Sequence, residues 1–211
     1  MSPRPRIASD IEIIEAATRA VGLVGSSRLT LADIAVEAGI SPGALVQRFG
    51  SKRDLVLQVI RWRIETAERH YAVLTREHPP IKAITALLGG NSRTPQIAED
   101  RLQILSWAWN DPTDADLNTL VVQFLAAEAA VLRGLIESAQ LRGDIAATVD
   151  RRALAARLQD LATGTAINAS LRKSLQAQSS PTLAGAIKRG IEQLLSDACT
   201  ACITAEESSA A

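Results

Sequence analysis

Apolar positions recur at helical spacing in two short runs between Thr30 and Leu55, with a glycine between the runs. Leu31, Ile34, Ala35 and Ala38 share one helical face. Thr30 suits an N-cap, with Asp33 closing a variant of the capping box. Gly39 stands where the chain must turn through a left-handed conformation, which glycine adopts at least cost. Ser41 then caps a second helix, Pro42 suits its first position, and Leu45 and Phe49 turn its apolar side back onto the first. Ala35 is small where two helices would cross closely. Two short helices joined in this way form a helix-turn-helix, whose second helix enters the DNA major groove.

The pattern continues on both sides. Ser9 with Glu12 is a capping box, and Ile11, Ile14, Ala17 and Val21 make the stripe of a first helix that ends near Gly22 or Gly25. Ser51 to Asp54 starts a long helix toward Glu77, broken by Pro79-Pro80. Further helices are predicted over 81–88, from Thr94 and Pro95 to about Trp109, from Ala115 to Leu141 with Gly143 as its stop, from Asp150 onward, and from Ser180-Pro181 to about Thr200. The expected fold is all-α with about nine helices: a three-helix domain over 1–50 and a larger helical domain over 51–211.

Composition agrees with this, because 47% of residues are hydrophobic but only 3% aromatic, and Ala, Leu, Arg and Gln are abundant. No uninterrupted apolar run reaches membrane-spanning length, and Met1 to Arg6 has no apolar core of a signal peptide. These features lead to the expectation of a cytoplasmic protein with no membrane partner. Net charge is zero, yet residues 1–63 hold nine Lys/Arg against six Asp/Glu and the remainder fourteen against seventeen. The excess sits in the DNA-reading half. Arg4 and Arg6 lie on a terminal arm, read as a solvated tail in preference to a minor-groove anchor.

Thr30, Asp33-Ile34-Ala35, Ala38-Gly39-Ile40-Ser41, Gly43, Leu45 and Phe49, followed by Ser51-Lys52 and Leu55, carry a resemblance. The chain resembles TetR-type (tetracycline-repressor family) transcriptional regulators. The resemblance implies an N-terminal DNA-binding domain and a larger helical domain that binds a small molecule. It also implies a homodimer made by pairing the last two helices with those of a second copy. The family commonly has an aromatic residue, often Tyr, just before the His/Arg-Phe step, where this chain has Val46 and Gln47. Contacts at those two positions are therefore this chain's own.

With Leu45 facing inward, Gly43, Val46 and Gln47 face outward and Arg48 lies at the flank. Gln can bridge adenine N6 and N7, Val can meet a thymine methyl, and Gly43 permits close approach. Arg48, Lys52 and the Thr30 hydroxyl are placed for phosphates, next to the Ser41-Pro42 helix start. The candidate DNA-binding set is thus Thr30, Ser41, Pro42, Gly43, Val46, Gln47, Arg48 and Lys52.

In the second domain the ligand-binding candidates are Tyr71, Arg101, Trp107 and Phe124. Trp107 and Trp109 point about 200° apart on a helix, so one of them packs in core. A mostly apolar or aromatic molecule is the default ligand for such a lining. A last-helix stripe from Leu183 to Ala198, and an eighth helix rich in Ala and Gly, suit either intrachain packing or pairing with a second copy. Reading two half-sites favours the pairing.

Catalytic signals do not accumulate. No Gly-rich phosphate loop, His-Glu-x-x-His or nucleophile elbow occurs, and there are two histidines. Cys199 and Cys202 lack a second ligand pair and a βαβ setting, which disfavours metal binding or redox chemistry. The chain is therefore expected to be a non-enzyme without cofactor or metal: a ligand-responsive regulator, most often a repressor in such families, on a palindromic double-stranded DNA operator. The alternative is a helical small-molecule-binding or scaffold protein without sequence-specific DNA binding.

Overall fold

Each helix of the N-terminal trio begins at a residue whose side chain accepts from the backbone of the first turn. In the computed structural model, which describes residues 8–89, 97–175 and 189–196, Ser9 and Glu12 close a capping box at the start of α1 (Asp10–Val24). Thr30 and Asp33 do the same for α2 (Leu31–Ala38). Ser41 caps α3 (Pro42–Phe49) by accepting from the Ala44 amide at 3.2 Å, and Pro42 occupies the first turn. Gly39 ends α2 at φ 67°, ψ 31°, the left-handed conformation expected of it.

The helices then lengthen: α4 (Lys52–Glu77), α5 (Pro80–Gly89), α6 (Ile97–Asn110), α7 (Ala115–Leu141) and α8 (Arg151–Leu175). Asp150 starts α8 by accepting from the amides of Arg152 and Ala153 at 2.7 and 3.0 Å. Residues 189–196 are also helical, with Ile191 and Leu195 buried, inside the stretch expected to form a last helix. The rest of that expected helix, Arg4 and Arg6, the Thr94-Pro95 start of the sixth helix, and Cys199 and Cys202 lie outside the described residues. No strand occurs among the described residues, and the fold is all-α.

The chain forms two compact units. The first takes the described residues up to Ala67 together with Gln103–Phe124; the second takes Glu68–Leu102 and the described residues from Leu125 onward. Helices α4, α6 and α7 each supply residues to both.

Ile13, Ile14, Ala17, Val21, Ile34, Ala35, Leu45 and Phe49 meet in the core of the first unit with Leu55, Ile60, Trp107 and Leu117. Leu31, Ala38 and Ile40 pack at its edge. Ile11, placed in the α1 stripe by its spacing, is instead 55% exposed. The buried stripe is set two positions later, by Ile13, because the small Ala16, Ala17 and Ala20 extend the inward face on that side. Between the two tryptophans the structure chooses plainly: Trp107 is buried and Trp109 is 58% exposed.

Helix α7 also departs from expectation. By length and composition it is apolar enough to cross a bilayer, with a mean hydropathy of 1.6 in its most apolar window. The sequence criterion of an uninterrupted run missed it because single polar residues divide the helix. Its inward stripe of Leu117, Val121, Phe124, Leu132, Leu135 and Ala139 includes a fully buried Glu128. That pattern is a core helix built around one charge.

Candidate functional site

The outward face of α3 is set by what the inward face must do. Leu45 and Phe49 are consumed by the core, so Gly43, Val46, Gln47 and Arg48 are left exposed together, with Ser41 and Pro42 at the end of the same face. Val46 is a large apolar side chain left 48% exposed. Gly43 needs no unusual backbone angle, and a Cβ added there would meet only the Ser41 hydroxyl at 3.9 Å. The fold itself therefore does not demand glycine at 43, which leaves close approach of a partner as a physical reason for it.

Around this face the charged residues are arranged more tightly than their spacing suggested. Arg48 folds back: its Nε pairs with Asp10 Oδ1 at 2.6 Å and its Nη1 donates to the Ala8 carbonyl. Arg19 pairs with Glu37 at 2.6 Å. Lys52 makes no ion pair among the described residues, although its charge is felt by Asp33. The Thr30 hydroxyl accepts from the Asp33 amide at 3.2 Å and donates to Asp33 Oδ2 at 2.6 Å. Thr30 therefore already holds the start of α2, and any contact it makes to a phosphate is added to that role. A tie from α1 to the Arg48 flank, through Asp10, is the feature that sequence reasoning missed at this face.

A second ionic clamp holds the start of α4. Arg53 grips Asp114 with both arms of its fork, Nε at 2.6 Å and Nη2 at 2.8 Å, and Nη2 also reaches Asp116 at 2.6 Å. Hydrogen bonds from Arg53 and then from the Leu117 amide hold the Asp114 carboxyl below its ordinary 3.8. The Thr30 hydroxyl and amide lower Asp33 in the same way, and the Ala153 and Arg152 amides lower Asp150.

The sign for stability follows from these directions. Each group has a folded pKa below its unfolded one, so its contribution is complete above about 3.8 and is lost as pH falls through the depressed folded values. Acid melting followed by circular dichroism is expected to show stability falling below about pH 3.8. Asp114→Asn should flatten that fall. Equal pH slopes for the variant and the parent would remove Asp114 from the account.

The second unit holds a buried polar cluster. Glu128 on α7 is 0% exposed and Arg101 on α6 is 1% exposed, and they form an ion pair. Tyr71 on α4 donates its hydroxyl to Glu128 Oε1 at 3.3 Å, and Gln159 on α8 donates Nε2 to Glu128 Oε2 at 2.8 Å and to the Leu125 carbonyl at 3.0 Å. Burial of a polar network in this way is costly unless its members are satisfied. Here they are not all satisfied: Arg101 Nε and Nη1 are buried with no hydrogen-bond partner among the described residues.

Of the four ligand-binding candidates, Tyr71 and Arg101 are thus brought together. Trp107 is instead buried in the core of the first unit, and Phe124 is buried in the first unit's part of α7. Glu128 and Gln159 were missed. Glu128 had a legible signal, since it occupies an apolar-stripe position between Phe124 and Leu132.

Residues 13–59 match the family model described as bacterial regulatory proteins, tetR family. Over those residues the chain is similar to the TetR family. Over 92 residues the chain is 35% identical to the HTH-type transcriptional regulator BetI of Brucella anthropi, a match covering 43% of this chain and 47% of that protein. The chain thus matches a little under half the length of that curated relative.

Solved structures extend the likeness across the whole fold. A transcriptional regulator from Saccharomonospora viridis in complex with choline superposes with a TM-score of 0.72 at 20% identity, covering 89% of this chain and 95% of that one. The regulator FadR of Bacillus subtilis in complex with stearoyl-CoA superposes with a TM-score of 0.65 at 17% identity, covering 89% and 98%. At these identities the TetR-type likeness is one of fold.

Proposed function

We propose that this chain is a ligand-responsive, DNA-binding transcriptional regulator that acts as a homodimer in the cytoplasm and represses from a palindromic operator until a small molecule releases it. The observation that carries the reading is the exposed α3 face, with Gly43, Val46 and Gln47 turned outward from a helix whose caps and core contacts are complete without them. A helix held this firmly and presented this way is suited to the major groove. Gln47 and Val46 read base edges; Lys52, Thr30 and the α3 start at Ser41-Pro42 hold phosphates. Arg48 joins the phosphate contacts by exchanging its Asp10 partner.

Regulation follows from the shared helices. A ligand changes the reading heads only if it binds one arrangement of the protein better than another. Helices α4, α6 and α7 each serve both units, which makes them the route by which a ligand bound among the helices of the second would bias the first. The solved relatives carry ligands as unlike as choline and stearoyl-CoA, so the fold alone does not select the molecule.

No catalytic role is assigned in this reading. A division of labour between residues 1–50 and 51–211 is retained as a functional boundary: reading on one side, helped by Lys52 at the start of α4, and sensing and pairing on the other.

The reading is tested by titrating the purified chain onto an operator chosen from a random DNA pool. Gln47→Ala is expected to cost about 1–3 kcal/mol and to relax selectivity at one base pair. Equal loss on every operator variant would take the base contact away from Gln47, and salt-insensitive binding would count against phosphate anchoring.

A further inference from the structure

The ion pair at the heart of the second unit leaves part of its cation without a partner. Arg101 spends Nη2 on Glu128, while Nε and Nη1 stay buried with no acceptor among the described residues. A buried donor without a partner costs free energy that an incoming acceptor recovers. Glu128 is better supplied, because Oε1 takes Arg101 and Tyr71 and Oε2 takes Gln159.

The way in is legible from helical phase. A hollow of about 640 Å³ opens between the end of α4, the start of α5 and α7, lined in part by Thr75, His78, Pro80, Val131, Leu135 and Ser138. Thr75 lies one turn beyond Tyr71 on the same side of α4, and His78 follows directly after that helix. Val131, Leu135 and Ser138 continue the side of α7 that carries Glu128. At about 1.5 Å per residue, the polar cluster lies roughly one turn, about 5 Å, beyond the inner lining of the hollow. Leu74, Ile84, Leu87, Leu132 and Leu158 are also buried in the second unit.

We propose that the effector is a mostly apolar molecule headed by an oxygen acceptor, a carboxylate or a carbonyl, that enters between α4 and α7 and is bound by Nε and Nη1 of Arg101. This deepens the regulator reading and rests on it. A guanidinium has donors only, so what completes it must accept. A cationic head meets the reverse situation, with a like charge at Arg101 and a carboxylate whose charge is already paired with it. The site therefore discriminates against quaternary ammonium compounds and amines. Tyr71 and Gln159 act by positioning Glu128, which in turn holds Arg101 by one edge and leaves the other nitrogens presented.

The test uses the full chain with decanoate, decanamide, decylamine and choline as probes, read by calorimetry. Decanoate and decanamide are expected to bind saturably, and decylamine and choline to show no saturable binding. Arg101→Met combined with Glu128→Met replaces the pair by apolar side chains and is expected to stay folded by circular dichroism. That variant should lose affinity for both acceptor probes by about tenfold or more. Glu128→Gln removes the competing carboxylate, so decanoate should tighten while decanamide does not change.

Decylamine binding as well as decanoate overturns the proposal. So does wild-type affinity in the folded double variant, or decanoate unmoved by Glu128→Gln. A chain that binds its selected DNA but neither acceptor probe sinks this inference and leaves the regulator reading standing. Acceptor probes that bind a chain with no DNA selectivity do the opposite.

Discussion

Replacing Glu128 with alanine is expected to lower the stability of the chain by about 3–5 kcal/mol, because it strands the Arg101 guanidinium in a buried site with no counter-charge. Both side chains are almost wholly removed from solvent, so water cannot take over the role of the lost carboxylate. The same substitution removes the carboxylate acceptor of the Tyr71 hydroxyl and of Gln159 Nε2, the latter keeping the Leu125 carbonyl. Removing both charges together should cost far less, since an apolar pair of similar volume needs no hydrogen bonds. Urea unfolding of the single and double variants measures the difference. A single variant within about 1 kcal/mol of the parent would mean that Arg101 relaxes to solvent, and would withdraw the buried network from the account.

Leu45→Ala is expected to cost about 2–5 kcal/mol through the cavity it leaves. Leu45 is fully buried and, with Phe49, ties α3 to Ile34 and Ala35 in the core of the first unit. The consequence is functional as well as thermodynamic, since α3 has only eight residues and little helical stability of its own. Freed from its anchor, the helix loses the fixed presentation of Val46 and Gln47. DNA affinity should therefore fall even though no exposed atom has changed. Chemical denaturation and DNA titration of the same preparation check both halves, and full DNA affinity in a strongly destabilised variant would separate anchoring from reading.

The helix-turn-helix was legible in the sequence because each of its features obeys a rule spanning a few residues. Thr30 and Asp33 close a box, Gly39 supplies a left-handed turn, Ser41 caps, and Leu45 and Phe49 share a face. The structure keeps every one of these. What lay beyond the sequence depended on partners far along the chain. Nothing local to Arg48 identifies Asp10 as its partner, and nothing near Arg53 names Asp114 and Asp116.

Helix α1 shows a different obstacle. Ile11 and Ile13 support two competing stripes, and only the crowding of small residues beside Ile13 decides between them. Likewise, helical phase showed that Trp107 and Trp109 face apart but could not say which met the core. Arg101 is among the ligand-binding candidates of the sequence, yet its role became visible only once Glu128 was seen in the apolar stripe of α7 opposite it. A charge at a stripe position is the signal that sequence reading can use again.

The central claim is that α3 reads DNA as one of a symmetric pair, and selection of bound sequences from a random duplex pool by the purified full chain tests it most directly. The account predicts an enriched palindrome whose half-site centres lie about 34–36 Å apart, or a multiple of that spacing, as two recognition helices on one face of B-DNA require. A pool that emerges without enrichment, or enriched for a sequence with no two-fold symmetry, would contradict it.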